Sequence, residues 1–214
     1  MTTLTWGLLG LTLVIAVADW VAVHTENRTL EYVAKPATML PLIATAALLD
    51  PAVPAMKWWF VAALICSLVG DVFLMLPDPR MFVPGLGSFL VGHILFIVGL
   101  TRDSLSTGGV VVGAVLAFTL LMAIGPTLVK GAKDTDKQLA LPVLVYMLTI
   151  SVMVTCAIGA GVWVGIVGAL LFFLSDFCIG WSKFVSDFKG SGLAIIVTYH
   201  LAQILLVASL VVAR

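Results

Sequence analysis

The chain is a succession of apolar runs, each separated from the next by a few polar residues, a glycine or a proline. A membrane-spanning helix needs about 20 such residues, and in lipid only helices and closed barrels satisfy the backbone polar groups. The breaks predict eight spans near Leu4–Val23, Val33–Leu49, Lys57–Leu76, Phe82–Leu100, Gly109–Val129, Leu139–Ile158, Gly161–Lys183 and Ser191–Val212. The second run is short and the stretch from Cys156 to Gly165 is nearly continuous, so seven spans is the other count to keep open. With 62% hydrophobic and 10% charged residues, the class is an all-α polytopic transmembrane helical bundle. Residues 1–214 are expected to form a single integral membrane domain. No Lys or Arg precedes the first run, so it reads as a retained span and not as a signal peptide.

Charge excludes one class of partner and orients the chain. The formal net charge is zero and no Lys/Arg cluster occurs, which argues against nucleic acid. Arg28, Lys35, Arg80, Lys130, Lys133, Lys137, Lys183 and Lys189 fall at the ends reached by odd-numbered spans, against Lys57, Arg102 and Arg214 on the other side. The positive-inside rule therefore predicts a multi-pass protein of the cell membrane with both termini outside the cytoplasm. The segment Lys130–Lys137 reads as a solvated loop of mixed charge. Cys66, Cys156 and Cys178 lie inside apolar runs without CxxC spacing and read as packed hydrophobes.

Against this apolar background the few polar residues stand out. An ionised carboxylate inside a spanning helix is costly unless paired or hydrated, and marks a functional candidate. Asp71 lies six residues before Pro77 and Asp176 seven before Lys183, so at about 1.5 Å rise per residue both sit roughly 10 Å inside the cytoplasmic boundary. Asp19, Tyr146, Tyr199 and Gln203 reach a similar level, Lys35 stands at its cytoplasmic mouth, and His93 lies nearer the midplane. The two aspartates read as an acid and an anion sharing a low-dielectric site, or as structural contacts between helices.

Other readings are weaker. His93 and His200 lack the HxxxH pairing of intramembrane zinc sites, so no metal is expected; His200 reads as a core residue and His93 as a core residue or a substrate contact. Lys35 and Lys183 read as snorkelling residues or phosphate ligands. Trp58, Trp59, Trp163 and Trp181 read as interfacial anchors, and Gly85, Gly87, Gly92, Gly165 and Gly168 as close helix contacts. Intramembrane aspartyl proteases carry Gly-x-Gly-Asp and Pro-Ala-Leu motifs, but here Leu68 replaces the first glycine, Ser175 precedes Asp176 and no Pro-Ala-Leu occurs. Pro36 and Pro142, Asp71 and Asp176, and His93 and His200 are separated by nearly half the chain, which suggests a parallel four-plus-four repeat.

The ordered motifs resemble the YhhN-like family, the lysoplasmalogenases. They are Lys35-Pro36, the stretch Ser67 to Met75 around Asp71, the stretch Gly85 to His93, Tyr146, the stretch Gly168 to Asp176, Lys183-Phe184, and Tyr199 with Gln203. The resemblance implies a membrane hydrolase that cleaves the vinyl ether bond of a lysophospholipid to a fatty aldehyde and a glycerophospho-ethanolamine or -choline, without a cofactor. On this reading Asp71 and Asp176 are catalytic, while Lys35, His93, Tyr146, Ser175, Lys183, Tyr199 and Gln203 contact substrate or water. The acid between the two aspartates is left open, as are the oligomeric state and the roles of Asp19 and His200. The alternative from another class is a small or proton-coupled carrier using the same carboxylates.

Overall fold

The eight predicted spans are eight helices in the computed structural model, which describes residues 2–212. They are α1 (Thr3–His24), α2 (Arg28–Leu48), α3 (Lys57–Met75), α4 (Phe82–Leu100), α5 (Thr107–Thr135), α6 (Ala140–Ala160), α7 (Trp163–Phe184) and α8 (Ser191–Ser209). Arg214, counted above for orientation, lies outside the described residues. The near-continuous run around residue 160 is two helices because Gly161 adopts φ 75°, a left-handed conformation that glycine reaches without a Cβ clash and that ends α6.

Two boundaries differ from the sequence reading. α2 begins at Arg28 and not at Val33, because the Asn27 side chain accepts the Leu30 N–H at 3.1 Å and caps the helix. Seven of the helices are long and apolar enough to cross a membrane; α2, with Glu31 and Lys35 in its first half and Pro36 and Pro41 inside it, falls outside that set. The expected loop at Lys130–Lys137 is instead helical as far as Thr135. Its small residues explain this: Ala132 is fully buried, and a Cβ on Gly131 would overlap the Phe184 carbonyl oxygen, so this charged turn packs its small face on α7.

Consecutive helices pair as hairpins, α1 with α2, α3 with α4, α5 with α6 and α7 with α8. The hairpins join through α2 and α3, α4 and α6, α6 and α7, and α8 with both α1 and α2. Cross-links between loops and termini agree with an up-down order: Ala52 N–H bonds the Leu210 carbonyl at one end, where Ser106 N–H also bonds the Gly159 carbonyl, and Tyr32 bonds the Met75 carbonyl at the other. The order of neighbours repeats between the halves for their later helices, whereas α1 packs on α8 and α5 on α7. Pro36 lies inside α2, but Pro142 lies in the first turn of α6, where its missing N–H costs no helix bond.

Glycine sets the closest approaches. A Cβ on Gly168 of α7 would meet Leu206 N and the Ala202 carbonyl of α8 at 3.0 and 3.1 Å, and one on Gly92 of α4 would meet the Ala63 carbonyl of α3 at 3.3 Å. Gly85 and Gly165 also face close neighbours, but Gly87 has nothing within 4 Å and makes no helix contact. The glycines that seat α5 on α6, Gly109 and Gly113, were not among those expected. All three cysteines are free thiols, two of them buried. Between α7 and α8, Asp187 Oδ1 accepts from Ser182 and Ser191 at 2.5 and 2.7 Å, clasping the turn. These hydroxyls, with the Phe188 N–H, hold the Asp187 carboxyl below its usual range.

Candidate active site

Two aspartate-centred networks occupy the bundle interior. On α7, Asp176 Oδ2 accepts from the Tyr146 hydroxyl of α6 at 2.8 Å and lies 3.0 Å from His93 Nε2 of α4. These three side chains explain why α4, α6 and α7 must converge here. His93 is fully buried, with the Phe172 ring edge-on at 4.6 Å between centroids. On α3, Asp71 Oδ2 accepts from the Tyr199 hydroxyl of α8 at 2.6 Å, and that hydroxyl also lies 3.7 Å from the Met39 sulfur of α2. Phe172 and Phe89 pack edge-on against Tyr199 at 5.6 and 5.8 Å. Phe172 thus touches a member of each network, and among the described residues no hydrogen bond joins the two carboxylates directly.

The networks differ in their surroundings. Asp176 and Tyr146 line a cavity of about 60 Å³ between α4, α5, α6 and α7, whose remaining wall is apolar and includes Leu86, Leu128, Met147 and Phe184. The Asp71 side is polar. Lys35 lies within electrostatic reach of Asp71, Asp19 and His200, and its Nζ is 2.9 Å from Glu31 Oε1 in a largely buried pair. Gln203, one turn beyond Tyr199 and beside its hydroxyl, is fully buried, and neither of its amide atoms completes a hydrogen bond.

The remaining expected residues have other partners. Ser175 donates to the Ile195 carbonyl at 3.0 Å and ties α7 to α8. Lys183 lies over the Phe82 ring at 4.7 Å, where the start of α4 meets the end of α7. His200 Nδ1 accepts from the Trp20 indole N–H at 3.1 Å. Sequence reasoning missed Trp20, Glu31 and the aromatic partition of Phe89 and Phe172; only the i,i+4 spacing of Glu31 and Lys35 offered a signal. Among the described residues no three His, Cys, Asp or Glu side chains converge as a metal site needs.

The model of the YhhN family matches residues 30–210, which hold every member of both networks. The chain belongs to the YhhN family. Relatives of this YhhN chain include the human lysoplasmalogenase TMEM86B, 33% identical over 147 residues that make up 69% of this chain and 61% of that protein. The lysoplasmalogenase of Mycobacterium bovis is 34% identical over 189 residues, 83% of this chain and 69% of that protein. The mouse TMEM86B lysoplasmalogenase is 28% identical over 155 residues, 71% of this chain and 63% of that protein. The YhhN chain thus spans roughly two thirds of the length of the relatives it matches. No solved structure matches it.

Proposed function

We propose that this protein is a lysoplasmalogenase, an enzyme that hydrolyses the vinyl ether bond of a lysophospholipid drawn from the surrounding membrane. The observation that carries the reading is the cavity on Asp176: an apolar lining of the kind an alkenyl chain requires, with a hydrogen-bonded carboxyl group as its polar wall. Similarity to proteins named lysoplasmalogenase supports the substrate class.

The chemistry divides between the two networks. The bond R′O–CH=CH–R is cleaved after a proton adds to the alkene carbon on the tail side, leaving an oxocarbenium ion R′O⁺=CH–CH₂R. Water adds to that carbon and loses a proton, and the hemiacetal collapses to R′OH and the aldehyde. Asp176 borders the tail cavity and shares a hydrogen bond with His93, so this pair delivers the first proton. Asp71, on the polar side with Gln203 and Tyr199, faces the developing cation and takes the proton from water, the division of labour used in glycoside hydrolysis. Lys35, released from Glu31, meets the headgroup phosphate; Lys183 at the cavity's rim is the second cation for that charge.

The deciding experiment is aldehyde release by purified protein in detergent from a 1-alkenyl lysophospholipid, with the saturated ether as control. Aldehyde is expected from the vinyl ether alone, and both Asp71→Asn and Asp176→Asn are expected to lower turnover at least about 100-fold while leaving a folded protein. Near-normal turnover in both variants overturns the mechanism. Solute movement across sealed vesicles without aldehyde formation replaces the enzyme with the carrier.

A further inference from the structure

Three side chains of the polar side remain without a task in this mechanism or with polar atoms unspent. Asp19 of α1 is fully buried, and neither carboxylate oxygen has a hydrogen-bond partner among the described residues. His200 is buried as well; because Trp20 donates to its Nδ1, a neutral ring carries its proton on Nε2, which has no partner and lies 3.9 Å from Asp19 Oδ2. That gap is too long for a hydrogen bond. Gln203, one turn along α8, lies beside the Tyr199 hydroxyl, and neither of its amide atoms completes a hydrogen bond there. A single buried polar atom without a partner costs stability, so a cluster of them on two adjoining helices is an arrangement kept for a ligand.

The donors and acceptors specify that ligand. Asp19 offers acceptors, His200 Nε2–H offers a donor, and Gln203 offers both. A headgroup phosphodiester has no proton for Asp19 at neutral pH and is repelled by it. An ether or ester oxygen has none at all. An alcohol both donates and accepts, and so answers each member of the set. Asp19 and Asp71 interact electrostatically and share the field of Lys35, so the cluster belongs to the same polar half of the bundle as Asp71.

We propose that Asp19, His200 and Gln203 form a subsite that binds the free sn-2 hydroxyl of the lysolipid glycerol and thereby selects lysolipids over lipids acylated at that position. The inference rests on the lysoplasmalogenase reading above. Trp20 is a positioning residue, holding the His200 tautomer that presents the donor.

The test compares kcat/KM, by aldehyde release from the full chain in detergent, for a 1-alkenyl lysophospholipid and its 2-deoxy counterpart, which lacks the hydroxyl without adding bulk. The wild-type protein is expected to favour the hydroxyl-bearing substrate about 10- to 100-fold, and Asp19→Asn and Gln203→Leu are expected to shrink that ratio toward one. A purely structural role would lower both substrates together and leave the ratio unchanged, and that result overturns the inference. Equal use of both substrates by the wild-type protein also overturns it, while leaving the proposed function intact. Absence of aldehyde from either substrate overturns the function itself. Should the first two variants not fold, Trp20→Phe, which removes the indole N–H together with part of the ring, is expected to reduce the ratio, and an unchanged ratio there counts against the subsite.

Discussion

Tyr146 shows how much a single hydroxyl controls. Its O–H is 2.8 Å from the same Asp176 oxygen that faces His93, so it biases where the proton of that pair resides. Tyr146→Phe keeps the ring against His93, whose centroid is 5.2 Å away, and removes only the donor. Steady-state kinetics are expected to show kcat/KM reduced about tenfold or more, the usual worth of a hydrogen bond to a charged group, with a thermal midpoint in detergent close to that of the wild-type protein. At this scale the sequence identified the participants by rarity. Tyr146, Tyr199, His93 and the two aspartates are conspicuous in a chain with so few polar residues, but which tyrosine meets which aspartate is a matter of lateral packing. Helices that are apolar around their whole circumference carry no stripe to say which face turns inward, and so the pairing of Trp20 with His200 was also hidden.

Among the elements, α5 is the one whose later turns wall the cavity on Asp176. Its first turns are seated on α6 through Gly109 and Gly113, and its last turns reach α7, where Gly131 meets the Phe184 carbonyl. Leu128 and Ile124 of α5 and Phe184 of α7 all border the cavity. Gly131→Ala must push α5 off α7, and thermal unfolding in detergent is expected to show a loss of about 1–3 kcal/mol, with a raised KM for lysolipid. Gly87→Ala on α4, where a Cβ meets nothing, is the matched control and is expected to stay within about 0.5 kcal/mol. The reach of α5 was illegible for a definite reason. Lys130, Lys133 and Asp134 carry the appearance of a loop, yet Gly131 and Ala132 between them supply the narrow face that the packing uses. The start of α2 was hidden in the same way by Arg28 and Glu31, whereas the break between α6 and α7 was marked by Gly161 itself.

For the whole molecule, the number of helices and the up-down order place Thr2 and Val212 at the same end of the bundle. The positive-inside rule, applied to the distribution of Lys and Arg, predicts that this end is non-cytoplasmic. A cysteine introduced at Lys137 in a background free of Cys66, Cys156 and Cys178 is expected to be labelled by an impermeant thiol reagent only after the cytoplasmic face is opened; labelling of intact cells reverses the orientation. The composition of α2 has its own consequence for how such a molecule is assembled. With Arg28, Glu31 and Lys35 in its first eight residues and two prolines inside it, α2 has less tendency than its neighbours to leave the translocation machinery for lipid on its own. It packs on α1, α3 and α8, the last of which is synthesised at the far end of the chain. The helix bearing Lys35 therefore waits, during synthesis, for the final hairpin to complete its surroundings, and the polar half of the bundle is the last part of the protein to come into being.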